Sequence, residues 1–270
     1  MIKIIEDLQA PDLIAAMDGN MAAYWSAYGR GPGGIQHHSA NMLWQYTSMP
    51  VPVFNGVHFA RIEEADVPSV IQALQAQIDR HSVGALWWIS PNSQPKQLGK
   101  LLLAHGLKFS GETPAMAVEL REVAGGHKTP ENFTLLKVED RKMQAQWGRT
   151  AAFGFGFSER EAAAMAALEE AMDDETIQSQ PRYLGYLDDQ PVATSALVYS
   201  SGLAGIYAVT TLSEARGKGI GRWMTVYPLL QARQRGYRIG ILQASAMGYP
   251  IYRKIGFKEL FKYQQYFQMP

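Results

Sequence analysis

The sequence predicts a mixed α/β (α+β) fold, a central mixed sheet flanked by helices and arranged as two tandem halves. Three observations lead there. Short apolar runs rich in β-branched and aromatic residues alternate with segments of helical periodicity along most of the chain. The stretch REVAGGHKTPEN, Arg121 to Asn132, joins glycines, a proline and mixed charge with almost no apolar content, and reads as a linker. On both sides of it the order strand, loop, helix, strand, helix, glycine turn and strand recurs. The expected units are residues 1–120, a linker at 121–132, and residues 133–270.

In the first unit AAYWSAY reads as a helix and RGPGG, Arg30 to Gly34, as a loop. VHFARIEEADVPSV gives a strand, a loop and the start of a helix whose apolar spacing continues through IQALQAQIDRHS. GALWWIS is a short buried strand, KQLGKLLLAHG a helix closed by glycine, and AMAVEL a strand. In the second unit FTLLKV is a strand and EDRKMQAQWGRTAAF a helix running into Phe153, Phe155 and Phe157. Ser158 and Glu161 have the spacing of a capping box for a helix reaching about Asp173. RYLGYL and VATSALVY form a hairpin across DDQP, where Asp and Pro favour a turn. GLAGIYAVT is the next strand, followed by a glycine-rich loop, a helix from about Arg222 to Gln234, the strand RIGILQAS, a short helix through Tyr252, a break at Gly256 and the final strand YQQYFQ.

Composition bounds the function. The chain has 270 residues and 47% apolar content, enough for sizeable cores. Lys+Arg and Asp+Glu are both 25, so no global field draws the protein to nucleic acid or an anionic membrane, and neither is expected as a partner. With no cysteine, thiolate catalysis and Cys-bound zinc are excluded, and a reducing compartment fits. The N-terminal MIKIIEDLQAPDLIAAMDGN carries acids inside its apolar run, unlike a signal peptide, and no segment has the ~20 apolar residues of a membrane span. A cytoplasmic protein is expected. His37 and His38 are adjacent and project in different directions, so they read as surface residues, and no metal is expected. Trp87 and Trp88 lack interleaved basic residues and read as buried strand.

The stretch SEARGKGIGRWM, Ser213 to Met224, carries the chemistry. Placed between a strand and a helix, Gly217, Gly219 and Gly221 let backbone amides turn inward and a ligand approach without meeting a Cβ. A helix N-terminus favours negative charge, and Arg216, Lys218 and Arg222 add cations, so the expected guest is a phosphate or diphosphate. A solvated loop is the plainer alternative. The spacing fits neither a Walker loop, which needs Lys and then Ser or Thr after its last glycine, nor Gly-x-Gly-x-x-Gly.

The remaining pattern, Arg-x-x-Gly-x-Gly at Arg216, Gly219 and Gly221, resembles the acetyl-CoA diphosphate loop of the GCN5-related N-acetyltransferase superfamily. About thirty residues on, IYRKIGFKE is similar to a second motif of that family, with Tyr252 followed by Gly256 and Phe257. The resemblance covers roughly residues 131 to 270. It implies that acetyl-CoA is the cofactor and acyl donor, that Val209, Thr210 and Thr211 pair with its pantetheine arm, and that Gly217, Lys218, Gly219, Ile220, Gly221 and Arg222, beside Arg216, hold the diphosphate. Ser245 stands where many members have a cofactor-contacting asparagine. The catalytic residue it implies is Tyr252, a phenol protonating the departing thiolate, against the plainer reading of a core tyrosine beside Ile251 and Ile255. A backbone N–H near Val209 would meet the carbonyl oxygen.

Family members often carry a glutamate on the strand before the loop, and GLAGIYAVT has none. Tyr207 is its one titratable side chain, so either a carboxylate from elsewhere or water takes the proton of the acceptor amine. The acceptor side falls on the segment after the fourth predicted helix. There Phe153, Phe155 and Phe157 could form a wall, and the seven acids and one arginine from Glu159 to Glu175 either attract a cationic amine or solvate a helix face. In the first unit Glu63, Glu64 and Asp66 replace the glycine loop and Leu102 stands at the place of Tyr252, so that unit is a degenerate acetyltransferase-like half whose acids satisfy the helix amides and repel phosphate. It would serve as a packing partner, a wall of the acceptor pocket or a homodimer surface. The expected function is acetyl transfer from acetyl-CoA to the amine of a small molecule; the alternatives are a non-catalytic acyl-CoA-binding module and an acetyltransferase for protein N-termini or lysines.

Overall fold

The computed structural model describes residues 3–125 and 130–270. Within the predicted linker, Gly126 to Thr129 therefore lie outside the described residues. Its start is well anchored: residues 120–122 make a tight turn, Val123 is buried, and Arg233 donates to the carbonyls of Leu120 and Val123.

In the first half the chain forms α1 (Leu13–Gly29), β1 (Ile35–His38), β2 (Met42–Tyr46), β3 (Gly56–Ala60), α2 (Val67–His81), β4 (Ala85–Ile89), α3 (Leu98–Ala104) and β5 (Lys108–Glu119). The second half forms β6 (Phe133–Lys137), α4 (Arg141–Gly154), α5 (Glu159–Glu170), α6 (Asp174–Ser179), β7 (Arg182–Leu187), β8 (Gln190–Ser200), β9 (Leu203–Thr211), α7 (Ile220–Gln234), β10 (Ile239–Gln243), α8 (Tyr249–Ile255) and β11 (Lys258–Gln268). Local chemistry sets the boundaries. The Asp140 carboxylate accepts from the Met143 amide at the head of α4, and Ser158 and Glu161 form a reciprocal capping box on α5. Asp188 and Asp189, both in the left-handed region, turn the β7–β8 hairpin, and Gly256 at φ 115° stops α8.

Several elements depart from the sequence expectation. α1 begins well before AAYWSAY, and the β1–β2 hairpin was not expected at all. The helix after Ser158 ends at Glu170; Asp173 is not its last residue but the cap of a separate α6, its carboxylate taking the Thr176 amide. β5 and β11 extend beyond AMAVEL and YQQYFQ.

The two halves share one eleven-stranded sheet in the order β1-β2-β3-β4-β11-β5-β10-β9-β8-β7-β6. The last strand of each half crosses over: β11 lies between β4 and β5 of the first half, and β5 lies between β10 and β11 of the second. Helices α2, α3, α7 and α8 cover one face, with cores around Trp87 and Leu74 and around Met224 and Leu242. Helices α1, α4 and α5 cover the other, in a core holding Met17, Trp147 and Tyr263. The predicted echo is visible in matching turns: the Leu107 amide returns to the Leu102 carbonyl as the Phe257 amide does to that of Tyr252.

Helix α1 fastens the halves together. Asn20 donates to the carbonyls of Val198, Ser200 and Leu203, and Gln180 donates to the Ala23 carbonyl. Beside them lies a buried ion pair, Arg182 Nε to Glu169 Oε2 at 3.0 Å, with the Tyr28 hydroxyl on Glu169 Oε1 at 2.6 Å. The guanidinium packs over the rings of Tyr24 and Trp147. Breaking a buried pair by removing one member leaves an uncompensated charge, so Arg182→Leu is expected to cost about 3–5 kcal/mol. The denaturation midpoint measures this, and adding Glu169→Leu should recover part of the loss; a midpoint unmoved by Arg182→Leu would show that the pair holds nothing.

Candidate cofactor cleft at the head of α7

Strands β9 and β10 are parallel neighbours only at Ala204–Gly240 and Gly205–Ile241. Beyond that they part, and among the described residues the β10-facing edge of β9 from Ile206 to Thr211 has no ladder partner. A bulge at Ala208 and Val209 opposite Ser195 bends β9 there, with Ala208 at φ 48°. The Thr194 hydroxyl holds the bulge by donating to the Ala208 carbonyl. Such a divergence leaves main-chain donors and acceptors free to meet a ligand.

The divergence opens into a cleft of about 1150 Å³. Val209, Thr210, Thr211, Arg216, Gly217, Gly219, Ile220, Gly221, Arg222, Ser245 and Tyr252 all line it. Lys218 does not: it points into solvent from the same turn. Ile220 buries its side chain in the core and presents only backbone. Arg216 also donates, Nε to the Thr211 carbonyl at 2.9 Å and Nη2 to the Gly154 carbonyl at 3.3 Å, so it braces the loop against the end of α4.

The loop fits a diphosphate. Gly217 and Gly219 have φ of +79° and +80°, which β-carbon-bearing residues rarely adopt, and a Cβ at either would meet no protein atom within 4 Å. The room they preserve is not filled by the protein. Gly219 is the N-cap of α7, so the first amides of that helix face the same space.

Tyr252 closes the inner end. It is 8% exposed, and burial pushes its phenol up to about 12, which keeps it protonated. The ring lies against Gly248, where a Cβ would come within 2.6 Å. The Ser245 hydroxyl accepts the Gly248 amide at 3.1 Å and shapes the turn into α8. Tyr207 is unavailable as a base: it is buried on the α1 side, stacked on Tyr24 and donating to Asn20 Oδ1, with burial raising its pKa far above the ordinary phenol.

The rim was only partly foreseen. Phe153 and Phe155, 40% and 49% exposed, stand on one side, while Phe157, partly buried, packs against the core of the α1 side. Met247 and Ile251 face them across the opening, and nothing in their sequence context signalled it. The acids from Glu159 to Glu175 do not line the cleft. Glu161 caps α5, Asp173 caps α6, Glu169 holds Arg182, and Glu159 and Asp174 pair with Arg149 and Arg141. Glu214, on the loop itself, is the carboxylate among the lining residues.

In the first half the corresponding groove is shut by the chain. The Gln94 amide donates to the Ala60 carbonyl, and the Ile62 amide donates to the Gln94 carbonyl, so residues 90–97 occupy the gap between β3 and β4. The segment is longer than its counterpart, residues 244–248. This, and not the acids, closes the site: Glu63 and Asp66 make no side-chain cap, and Glu64 is engaged by the Gln97 amide. Among the described residues no cluster suited to a metal and no helix long and apolar enough to cross a membrane occurs.

No protein-family model and no curated protein sequence matches the chain. Solved structures do. A GCN5-related N-acetyltransferase from Kribbella flavida superposes with a TM-score of 0.62 at 19% identity, over 93% of this chain and 96% of that one. A tandem GNAT protein from the clavulanic acid biosynthesis pathway gives 0.59 at 10% identity, over 97% and 96%. A putative acetyltransferase of the GNAT family from Novosphingobium aromaticivorans gives 0.53 at 14% identity, over 94% and 99%. Identities this low speak for shape alone: the chain has the fold of the GCN5-related N-acetyltransferases, doubled in tandem.

Proposed function

We propose that this protein transfers an acetyl group from acetyl-CoA to the amine of a small-molecule acceptor in a ternary complex, using its second half alone for cofactor binding. The observation that carries the reading is one cleft in which an unpaired strand edge, a glycine turn at a helix head and a buried phenol converge. When bound, acetyl-CoA supplies an activated thioester. Gly217, Gly219 and Gly221 with the first amides of α7 would hold its diphosphate, and Val209 to Thr211 would orient its arm along β9. Phe153, Phe155, Met247 and Ile251 narrow the mouth with apolar surface and exclude water.

Tyr252 holds the proton that the departing thiolate needs. Neutral up to about 12, it is a donor throughout the working range. Glu214 is a poor base, because hydrogen bonds from its own amide and from Ser213 lower its pKa in an exposed position. Deprotonation of the acceptor therefore falls to solvent.

Three outcomes are expected. Tyr252→Phe should slow turnover, of the order of the 10²–10⁴-fold typical of general acid–base groups, with coenzyme A affinity nearly unchanged; lost affinity with normal turnover would remove the acid role. Gly219→Asp should weaken coenzyme A binding at least tenfold, because the added side chain and its like charge enter the space the diphosphate needs, and should lower the melting temperature by only several degrees, since a φ of +80° strains the new residue by about 1–2 kcal/mol while its Cβ meets no protein atom within 4 Å. kcat/KM should rise with pH through the acceptor's ammonium pKa and show no fall from Tyr252 ionisation below about 12; a bell centred near neutrality would require another titrating group. Thiol release with a panel of free amines and peptides tests the whole reading. Binding without release for any of them would leave a non-catalytic thioester-binding module, and release with peptides alone would point to protein substrates.

A further inference from the structure

A second cleft, of about 310 Å³, opens on the α1 side of the first half. It is bounded by α1, the β1–β2 turn, the end of β3, Asn92 and the β8–β9 turn at Ser200 and Ser201. Phe59 on its wall lies at a bulge of β3, where β2 skips His58, much as Val209 lies at the bulge of β9. The cleft thus occupies the side of the degenerate half where a substrate would sit, next to a cofactor groove that residues 90–97 have filled.

Two opposite charges face this space without pairing. Asp18, 6% exposed, has only neutral donors on its carboxylate: Ser90 Oγ at 2.8 Å and Tyr263 Oη at 2.9 Å. Burial raises its carboxyl to about 6, against those hydrogen bonds and the charge of Arg61, so it is ionised near neutrality and lacks a close counter-ion. Among the described residues no ion pair within 4.0 Å forms on Asp18. Arg61 stands on the same wall, its Nη2 steadied by the Ala40 carbonyl at 2.8 Å. Serine hydroxyls and the Asn92 amide fill the perimeter between them. A buried anion and an exposed guanidinium that line one small polar cavity without an ion pair between them match a ligand carrying both complementary charges, since charge-assisted hydrogen bonds to each end are the strong ones available.

We propose that this cleft is a binding site for a small zwitterion of the free α-amino acid type, its ammonium on Asp18 and its carboxylate on Arg61. The site binds without transferring anything, because the adjoining groove is sealed. Its placement couples it to the other half: α1 carries Asp18 and, two residues on within the same turn, Asn20, which holds the Tyr207 hydroxyl on β9 and the β8–β9 hairpin.

The test is calorimetric titration of the whole chain at neutral pH with the standard L-α-amino acids, and with the amide and N-acetyl derivative of each. At least one amino acid is expected to saturate at one site per chain, with its amide and N-acetyl derivative weaker by roughly tenfold or more. Arg61→Gln, at an exposed position, and Asp18→Asn are each expected to weaken that binding by a similar factor. Coenzyme A binding to Arg61→Gln should be unchanged. If Asp18→Asn fails to fold, the Arg61→Gln result decides. Failure of every amino acid to saturate at millimolar concentration overturns the proposal, and so does binding that Arg61→Gln leaves intact, which would place the amino acid in the larger cleft. Neither result touches the acetyl-transfer reading, which stands on coenzyme A binding and thiol release.

Discussion

The position of β11 is the constraint on which the rest of the molecule depends. The chain's final strand inserts between β4 and β5 of the first half, pairing with β4 from Gln264–Ile89 to Gln268–Ala85 and with β5 along almost its whole length. Its end is fixed by the buried Gln268 side chain, which accepts from Trp87 Nε1 and donates to the Ile71 carbonyl and to Gln75. Because β5 in turn pairs with β10, neither half can complete its sheet without a strand of the other. The shared sheet fixes the direction in which β9 and β10 part, and so fixes the cleft.

One frame with two outcomes follows from two short loops. Between β9 and α7 the chain spends glycines at positive φ and leaves open space; between β4 and α3 it spends extra residues and fills it. The Gln94 main chain makes, within the protein, the same kind of backbone pairing to Ala60 and Ile62 that the edge of β9 leaves available to a ligand. An occupied edge is a stronger bar to a cofactor than surface charge, since exposed acids act through screened fields while a filled groove excludes by volume.

Helix α1 makes this more than two domains side by side. Its polar residues, sparse in an apolar run, each face inward to a buried partner: Asp18 to Ser90 and Tyr263, Asn20 to Tyr207 and the β8–β9 hairpin, Tyr28 to Glu169. Buried polar groups held by directed hydrogen bonds favour one arrangement, because another would break those bonds. That network also withdraws Tyr207 from catalysis, leaving Tyr252 as the phenol of the cleft.

What the sequence determined by itself is local. The glycine pattern from Gly217 to Gly221, the Tyr252 to Phe257 turn, the Ser158–Glu161 cap and most strands and helices are set by residues near one another in the chain, where conformational preference and spacing are enough to read them. The acids from Glu159 to Glu175 could be counted but not assigned, since capping, ion pairing and solvation use the same side chain and only the neighbours differ. The crossing of β5 and β11, the sealing of the first groove by Gln94, the bracing of Arg216 on Gly154 and the placing of Asp18 and Arg61 on one cleft were decided by tertiary structure. Each joins segments distant in sequence, and a contact whose partner lies far along the chain leaves no periodicity or motif at either end.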